Sequence, residues 1–141
     1  MADSAVQDER TISHVQVSKT LPNGNEVFEV VGRKWFFGVR IYQAQFFDPT
    51  FQQWFWGVGI WEVFPGTPAS SKVEAGDIVT RVNGFRVETV SQFIQQLEFS
   101  ATGYVSMRVR DVNTGAYFDF FVQLLPYPSP GPGPGPGPLG P

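Results

Sequence analysis

PGTPASSKVEAGDIVTRVNG, residues 65–84, is the stretch that decides the fold of this chain. Its outer dipeptides, Pro65-Gly66 and Asn83-Gly84, are strong turn signals, because glycine adopts positive φ without steric cost and asparagine tolerates the left-handed region. Between them, one short helical turn and a second turn at Gly76 lead into Ile78–Val82, whose β-branched residues predict a buried strand. The stretch therefore predicts a close succession of turn, helical turn, turn, strand and turn.

Composition limits the chain to one ordinary domain with tails. Of its 141 residues, 42% are hydrophobic and 16% are aromatic, which is enough for a core. The formal net charge is −3 and the basic residues form no long run, so nothing in the charge attracts nucleic acid. The absence of cysteine excludes disulfides and thiolate chemistry. No signal peptide or transmembrane stretch is found, so the compartment is unknown and the cytoplasm is the default expectation.

The two ends of the chain differ in composition from its middle. Residues 1–10 are small, polar and charged and are predicted to be disordered. A hairpin extension is predicted over residues 11–33, with its turn at Pro22–Asn25. The ordered domain is expected to span residues 34–126. Alternating proline and glycine in residues 127–141 can form neither a strand ladder nor a core, which predicts a disordered tail.

Aromatic residues are concentrated before the deciding stretch. A strand is predicted from Val39 to Tyr42, an irregular connector from Gln45 to Gln53, and a second strand from Trp54 to Phe64. These segments hold more aromatic side chains than a small sheet usually buries. Three arrangements are open. The connector packs the aromatic side chains against the sheet, or it covers a binding groove, or the aromatic side chains form an exposed patch that binds a partner or a second copy. The residues expected to carry an oligomer contact are Trp54, Trp56 and Trp61.

The last third of the chain predicts one helix and two strands. Between Glu88 and Phe99, apolar residues at i, i+3, i+4 and i+7 indicate an amphipathic helix, with Thr89 as its N-cap. Two alternating strands follow, around Val105–Val109 and Phe118–Leu124. Together the segments predict a mostly β fold of the α+β class with one or two short helices.

The residue pattern does not indicate an enzyme. His14 is the single histidine and has no acidic residue nearby in sequence, and no glycine-rich nucleophile elbow is present. Glu74 and Asp77 lie in a tight turn, where aspartate commonly accepts backbone amides. No phosphate-binding loop or dinucleotide fingerprint occurs. We therefore expect no catalytic residue, no metal and no cofactor.

The order and spacing of these segments resemble a PDZ domain, in the version that follows trypsin-like proteases of the Deg/HtrA kind. The resemblance covers roughly residues 34–125. It rests on Phe36-Phe37-Gly38-Val39, on the turn at residues 65–69, on Glu74–Val79, on Asn83-Gly84 and on the helix at Thr89–Glu98. It implies a partly open β-barrel or sandwich capped by a helix, which binds peptides and has no chemistry of its own.

A peptide groove follows from this resemblance and from the glycine turn itself. Successive amides at Phe36, Phe37, Gly38 and Val39 form a concavity for a C-terminal carboxylate. The strand that begins at Val39 is expected to offer an open edge to which a peptide adds as an extra strand. The residues expected to line the groove are Ile41, Val90, Ile94 and Leu97, which favours hydrophobic ligand side chains. The residues expected to add positive charge near the carboxylate are Arg33, Lys34 and Arg40.

Three hypotheses about function follow. The leading one is a module that captures C-terminal or exposed hydrophobic peptides by β-strand addition, with affinity on the order of micromolar. The second is a regulatory or substrate-recognition domain of a Deg/HtrA-like protease whose catalytic part is absent. The third is an assembly module that uses the aromatic surface. The expected partners are protein C-termini or hydrophobic peptides, with no nucleic acid and no integral membrane segment.

Overall fold

Ten strands and one α-helix make up the described part of the chain. The structure is a computed structural model that describes residues 15–30 and 34–126. The predictions for residues 1–10 and 127–141, for His14 and for Arg33 lie outside those ranges. The elements are β1 (Val15–Thr20), β2 (Glu26–Val30), β3 (Trp35–Phe36), β4 (Val39–Asp48), β5 (Gln53–Val63), a 3₁₀ helix (Pro68–Ser71), β6 (Ile78–Val82), β7 (Phe85–Arg86), α1 (Val90–Phe99), β8 (Tyr104–Arg110), β9 (Tyr117–Gln123) and β10 (Leu125–Pro126).

The strands form one large open sheet and one small pair. The large sheet has the order β1-β2-β4-β5-β6-β8-β9, with β7 added beside β6. The small pair consists of β3 and β10. All of these pairings are antiparallel, and the sheet does not close on itself within the described residues. The predicted α+β fold, mostly β with short helices, is therefore confirmed. No helix of the described residues is long and apolar enough to span a membrane.

Helix α1 packs its apolar face against the sheet. Val90, Phe93, Ile94 and Leu97 are all buried in one core with residues of β4, β5, β6 and β8. The Thr89 hydroxyl accepts the amide of Gln92 at 3.1 Å, so the predicted N-cap is confirmed. The helix thus lies over the sheet beside β4, because its hydrophobic spacing turns all four apolar side chains to one side.

The deciding stretch folds as predicted and is tied to the β8–β9 turn by Asp77. This aspartate is buried, and its carboxylate accepts the amides of Glu74 and Val112, both at 2.9 Å. A buried carboxylate needs hydrogen-bond partners, so the two bonds allow Asp77 to stay buried and hold the turn and the neighbouring loop together. Gly76 and Asn83 have φ of +98° and +52°, as the turn residues predicted.

The irregular connector predicted over Gln45–Gln53 is wrong. Strand β4 continues to Asp48 and, after one register shift between Arg40 and Ile41, pairs with β5 residue by residue to its end, so only residues 49–52 turn. The alternation was hidden because this hairpin carries aromatic residues on both faces. Phe46 and Phe55 face a second small core with Ile78, whereas Phe47 and Trp54 face the other side. A strand with two apolar faces has no period-2 signal in its sequence.

Two glycines inside β5 allow close packing of its neighbours. A Cβ at Gly57 would lie 2.6 Å from the Ile78 side chain, and one at Gly59 would lie 2.5 Å from the Tyr42 ring. Such distances are shorter than van der Waals contact. The missing side chains therefore make room for Ile78 and Tyr42 against the strand.

The far end of the β4–β5 hairpin is fastened to β9 by a buried carboxylate. The Tyr117 hydroxyl donates to Asp48 at 2.7 Å, and the Thr50 amide donates to the same carboxylate at 2.8 Å. The bond from Tyr117 holds the pKa of Asp48 below its usual range. Burial, followed by the bond to Asp48, raises the pKa of Tyr117 to about 12. The native state therefore favours the ionised acid and the protonated phenol.

Tyr117→Phe removes this hydroxyl, and its effect on stability should depend on pH. Because the native pKa of Asp48 is lowered, the contribution of the bond is complete above the ordinary value of 3.8 and is lost as pH falls through the lower native value. Because the pKa of Tyr117 rises from 10.0 to about 12, the contribution is complete below pH 10.0 and is lost as pH rises toward 12. Urea denaturation should show the largest loss of stability between these limits.

Tyr104→Phe is the control for that experiment. Its ring stacks on Phe121 at the exposed surface. This variant should change stability little at any pH. An equal, pH-independent loss in both variants would contradict a special role for the Asp48–Tyr117 bond.

Candidate functional site

The edge of β4 that runs beside α1 is occupied by the chain itself. Strand β2 pairs antiparallel with β4, placing Val27 opposite Tyr42, Phe28 opposite Ile41, and Glu29 opposite Arg40. The other edge of β4 pairs with β5. The predicted open edge is therefore wrong. Sequence patterns indicate that a segment is a strand but not which strand it pairs with, so the docking of the N-terminal hairpin onto β4 was not foreseen.

The side chain of Phe28 lies at the space between β4 and α1. It is partly buried and packs against the main core. It lines a cavity together with Gln43 of β4 and with Thr89, Val90 and Ser91 at the start of α1. The neighbouring Val27 is fully buried. An extended, apolar segment thus already lies where a peptide ligand was expected.

The predicted groove-lining residues are brought together but are covered. Ile41, Val90, Ile94 and Leu97 all belong to the main core, and each is at most 5% exposed. Their position between β4 and α1 agrees with the expected groove floor. With β2 in place, they serve as core residues, and their contact with a ligand stays a prediction.

The glycine turn at residues 36–39 is held by the deciding stretch. Gly38 has φ of +104°, and the Phe37 and Gly38 carbonyls accept the amides of Ala69 and Phe64 at 3.0 and 2.9 Å. Phe36 pairs with Leu125 in the small β3–β10 sheet. Within the described residues, no backbone bond is donated by the Phe37 or Gly38 amides. The carbonyls of the turn therefore have partners, and the role of its amides as a carboxylate site stays a prediction.

The charges predicted to support a carboxylate have other partners. Arg40 forms ion pairs with Glu62 and, at 3.4 Å, with Glu29, and its guanidinium lies over the Phe64 ring. Lys34 donates to the carbonyls of Glu98 and Ser100, both at 3.2 Å, at the C-terminal end of α1. Both cations are thus used inside the fold. Their support of a ligand carboxylate stays a prediction.

Three carboxylates cluster beside the deciding stretch. Oxygens of Glu74, Asp77 and Asp111 lie within 4.8 Å of one another. Each already accepts hydrogen bonds: Asp77 from two backbone amides, Glu74 from the Asn113 side chain, and Asp111 from Asn113 and Thr114. The cluster stabilises adjoining turns, in agreement with the role predicted for Asp77.

The aromatic surface divides between the two faces of the β4–β5 hairpin. Phe47, Trp54 and Trp56 lie together on one face and are 41%, 61% and 47% exposed. Trp61 lies on the opposite face, where its ring packs edge-on against Tyr42 and under the Lys19 ammonium. Of the three tryptophans expected to form one contact surface, the structure therefore brings only Trp54 and Trp56 together.

Phe28 is the site residue that the sequence analysis did not identify. The available signal was the segment Val27-Phe28-Glu29-Val30-Val31, which is itself a hydrophobic peptide of the kind the groove was expected to bind. It stands a few residues before the glycine turn at Gly38. A short connection of this kind allows antiparallel pairing with the strand that follows the turn.

Comparison with known proteins finds similarity in structure but none in sequence families. No protein-family model and no curated protein sequence matches the chain. The chain is similar to a crystal structure of the HtrA3 PDZ domain bound to a phage-derived ligand, FGRWV. The two share 22% sequence identity with a TM-score of 0.47, over 66% of this chain and 85% of that one. The neighbour is a PDZ domain of the HtrA kind, the family that the sequence motifs resemble.

Gly38→Ala should disrupt the turn at the end of the groove. A Cβ at this position would lie 2.3 Å from the Thr67 side chain, in addition to the strain of a positive φ. We expect a loss of at least about 3 kcal/mol in unfolding free energy, measured by urea denaturation.

Gly66→Ala is the matched control, because Gly66 has φ of +75° and no atom within 4 Å of the added Cβ. Its expected cost is about 1–2 kcal/mol, from φ alone. Equal losses in the two variants would show that contact with Thr67 is unimportant.

Proposed function

We propose that this chain is a peptide-binding module whose groove, between β4 and α1, accepts an extended segment by β-strand addition and is occupied by β2 until a ligand displaces it. The observation that carries the proposal is the antiparallel pairing of β2 with β4, with Phe28 beside Val90. This internal segment makes the backbone bonds that an added peptide strand makes. The groove therefore has the geometry of peptide capture, in an autoinhibited state.

The contacts of β2 indicate which peptides compete best. Phe28 faces Ile41 and the start of α1, where Val90 has no hydroxyl and favours an apolar side chain. On the other face Glu29 pairs with Arg40, so an acidic residue one place later retains that ion pair. A free C-terminus one residue further on then lies beside Val39 and Gly38. The preferred ligand is a hydrophobic segment with an acidic residue next to its last residue.

An internal competitor lowers the measured affinity for any added peptide. A tethered segment acts at an effective concentration in the millimolar range, because its ends cannot diffuse away. The apparent Kd is the intrinsic Kd divided by the fraction of molecules with an open groove. The native chain should accordingly bind peptides more weakly than an isolated groove, and any change that loosens β2 should strengthen binding.

A reversible disulfide between β2 and β4 tests the proposal. Glu29→Cys with Arg40→Cys places cysteines at directly opposed positions, whose Cα spacing of about 4.5–5.5 Å suits a disulfide. The chain has no other cysteine. A labelled peptide with the sequence of residues 26–30 and a free C-terminus, which places the glutamate next to its last residue, should bind the reduced variant, and fluorescence anisotropy should show that oxidation abolishes binding. Phe28→Asp, which puts a charge against the core, should strengthen binding about tenfold or more.

Controls separate groove binding from the carboxylate turn. An amidated copy of the peptide should bind the reduced variant more weakly if the amides of residues 37–39 hold a carboxylate. If amidation of the peptide does not change its affinity, the proposal is restricted to strand addition. Equal binding to the oxidised and reduced variants would refute the groove as the site.

A second candidate function is assembly through the surface formed by Phe47, Trp54 and Trp56. Contiguous exposed aromatic rings of this kind mark interaction sites in soluble proteins. The centroids of the Phe47 and Trp54 rings lie 5.5 Å apart, and the two rings form one exposed apolar surface. This surface lies beyond the groove on the far half of the β4–β5 hairpin, so assembly does not require displacement of β2.

Trp54→Glu tests the assembly function. If the surface pairs copies of the chain, sedimentation velocity should show a mass that rises with concentration in the native chain and stays monomeric in the variant. Phe85→Glu, at another exposed ring, is the control and should leave assembly unchanged. A native chain that stays monomeric over a wide concentration range would contradict this function.

A further inference from the structure

Three arginines form a row across neighbouring strands on the face of the sheet away from the main core. Arg81 of β6 is directly opposite Arg86 of β7 on one side and Arg108 of β8 on the other. Met107 and Val109 are buried in the core, so the alternating Arg108 points to the other face. Like charges directly opposite each other destabilise a sheet. The row therefore has an electrostatic cost that the fold itself does not require.

The three arginines open onto one cavity. Its volume is about 340 Å³, and its walls include the rings of Phe46, Phe51, Phe55 and Tyr117. The Arg86 guanidinium lies 5.2 Å above the Phe55 ring, and the Arg110 guanidinium lies 5.2 Å above the Phe46 ring. Aromatic contacts of this kind orient a guanidinium without neutralising it.

Three carboxylates lie near the row and offset much of its charge. The Arg108 guanidinium donates two hydrogen bonds to the Asp119 carboxylate, at 2.9 and 3.0 Å. A carboxylate oxygen of Glu88 lies 3.9 Å from a guanidinium nitrogen of Arg86. Asp48, the one carboxylate lining the cavity, already accepts the Thr50 amide and the Tyr117 hydroxyl. Within the described residues, the one hydrogen bond of the Arg81 side chain goes to the Gly84 carbonyl, which is neutral. With Arg110 counted, four guanidiniums stand near the carboxylates of Asp48, Glu88 and Asp119, which leaves an excess of one positive charge at the cavity.

The concentration of arginine here is not a result of composition. The whole chain carries −3 and has 10 lysines and arginines, four of which are Arg81, Arg86, Arg108 and Arg110. Acidic proteins solvate their surfaces with carboxylates or with mixed charges. A cavity with several arginines on an acidic chain is better explained by an anionic ligand.

We propose that this cavity binds an anion that carries at least two phosphate charges, with Arg81, Arg86 and Arg108 as its ligands. A guanidinium matches phosphate oxygens with two parallel hydrogen bonds, and adjacent arginines at strand spacing suit a ligand with adjacent phosphates. A carboxylate offers two acceptor oxygens, enough for one guanidinium, and so does not bridge the row. The site is independent of the peptide groove, because it lies on the opposite face of the sheet.

Titration of the full chain with inorganic pyrophosphate tests the proposal. Calorimetry in low-salt buffer should detect binding, and pyrophosphate should raise the thermal midpoint more than sodium chloride does at equal ionic strength. Arg81→Gln should weaken binding about tenfold or more. Without ligand the same variant should melt higher than the native chain at low salt, because a repulsion has been removed.

Matched variants and a second ligand complete the experiment. Lys72→Gln makes the same charge change away from the cavity and should leave pyrophosphate binding unchanged, while Arg86→Gln should reproduce the loss. A nucleoside diphosphate that binds more tightly than pyrophosphate would add contact between its base and the aromatic walls, and equal affinity would assign recognition to the phosphates alone. No pyrophosphate effect beyond that of salt, or the same effect in Arg81→Gln as in the native chain, would overturn the proposal.

Discussion

The backbone edge of β4 beside α1 needs a hydrogen-bonding partner, and much of the structure depends on how that need is met. This edge runs along buried apolar residues, where each unpaired amide or carbonyl costs about 1–3 kcal/mol. In this chain β2 supplies the pairing, and Phe28 closes the apolar gap to the helix. In the proposed function, an added peptide would supply the same pairing, so stability and peptide capture would compete for one set of backbone groups.

The length of the β4–β5 hairpin gives the molecule surfaces beyond that groove. The strands have ten and eleven residues, more than the core beside α1 can cover. Their far halves must bury one face elsewhere, and Phe46 and Phe55 do so against Ile78. The opposite face is left with Phe47, Trp54 and Trp56 exposed. Asp48 and Tyr117 fasten this extension to β9, which gives the arginine-lined cavity a fixed wall.

Local signals in the sequence were reliable where backbone conformation depends on a few adjacent residues. The helix at residues 90–99, its cap at Thr89 and the turns at Gly76 and Asn83 were all predicted, because periodicity, capping and positive φ are properties of short windows. The hairpin between β1 and β2 was predicted for the same reason. The strand extension to Asp48 was missed, since aromatic residues on both faces erase the alternation on which strand prediction relies.

The sequence by itself determined the α+β class, the deciding run of turns around β6, and the set of apolar residues that meet between β4 and α1. Only the tertiary structure decided that β2 covers that meeting place, that Arg40 and Lys34 are used inside the fold, and that Arg81, Arg86 and Arg108 stand in one row. The physical reason is the range of the interactions. Turns and helices form from contacts between residues that are close in sequence. Strand pairing joins distant segments through backbone groups that are the same in nearly every residue, so the sequence does not indicate which strands pair.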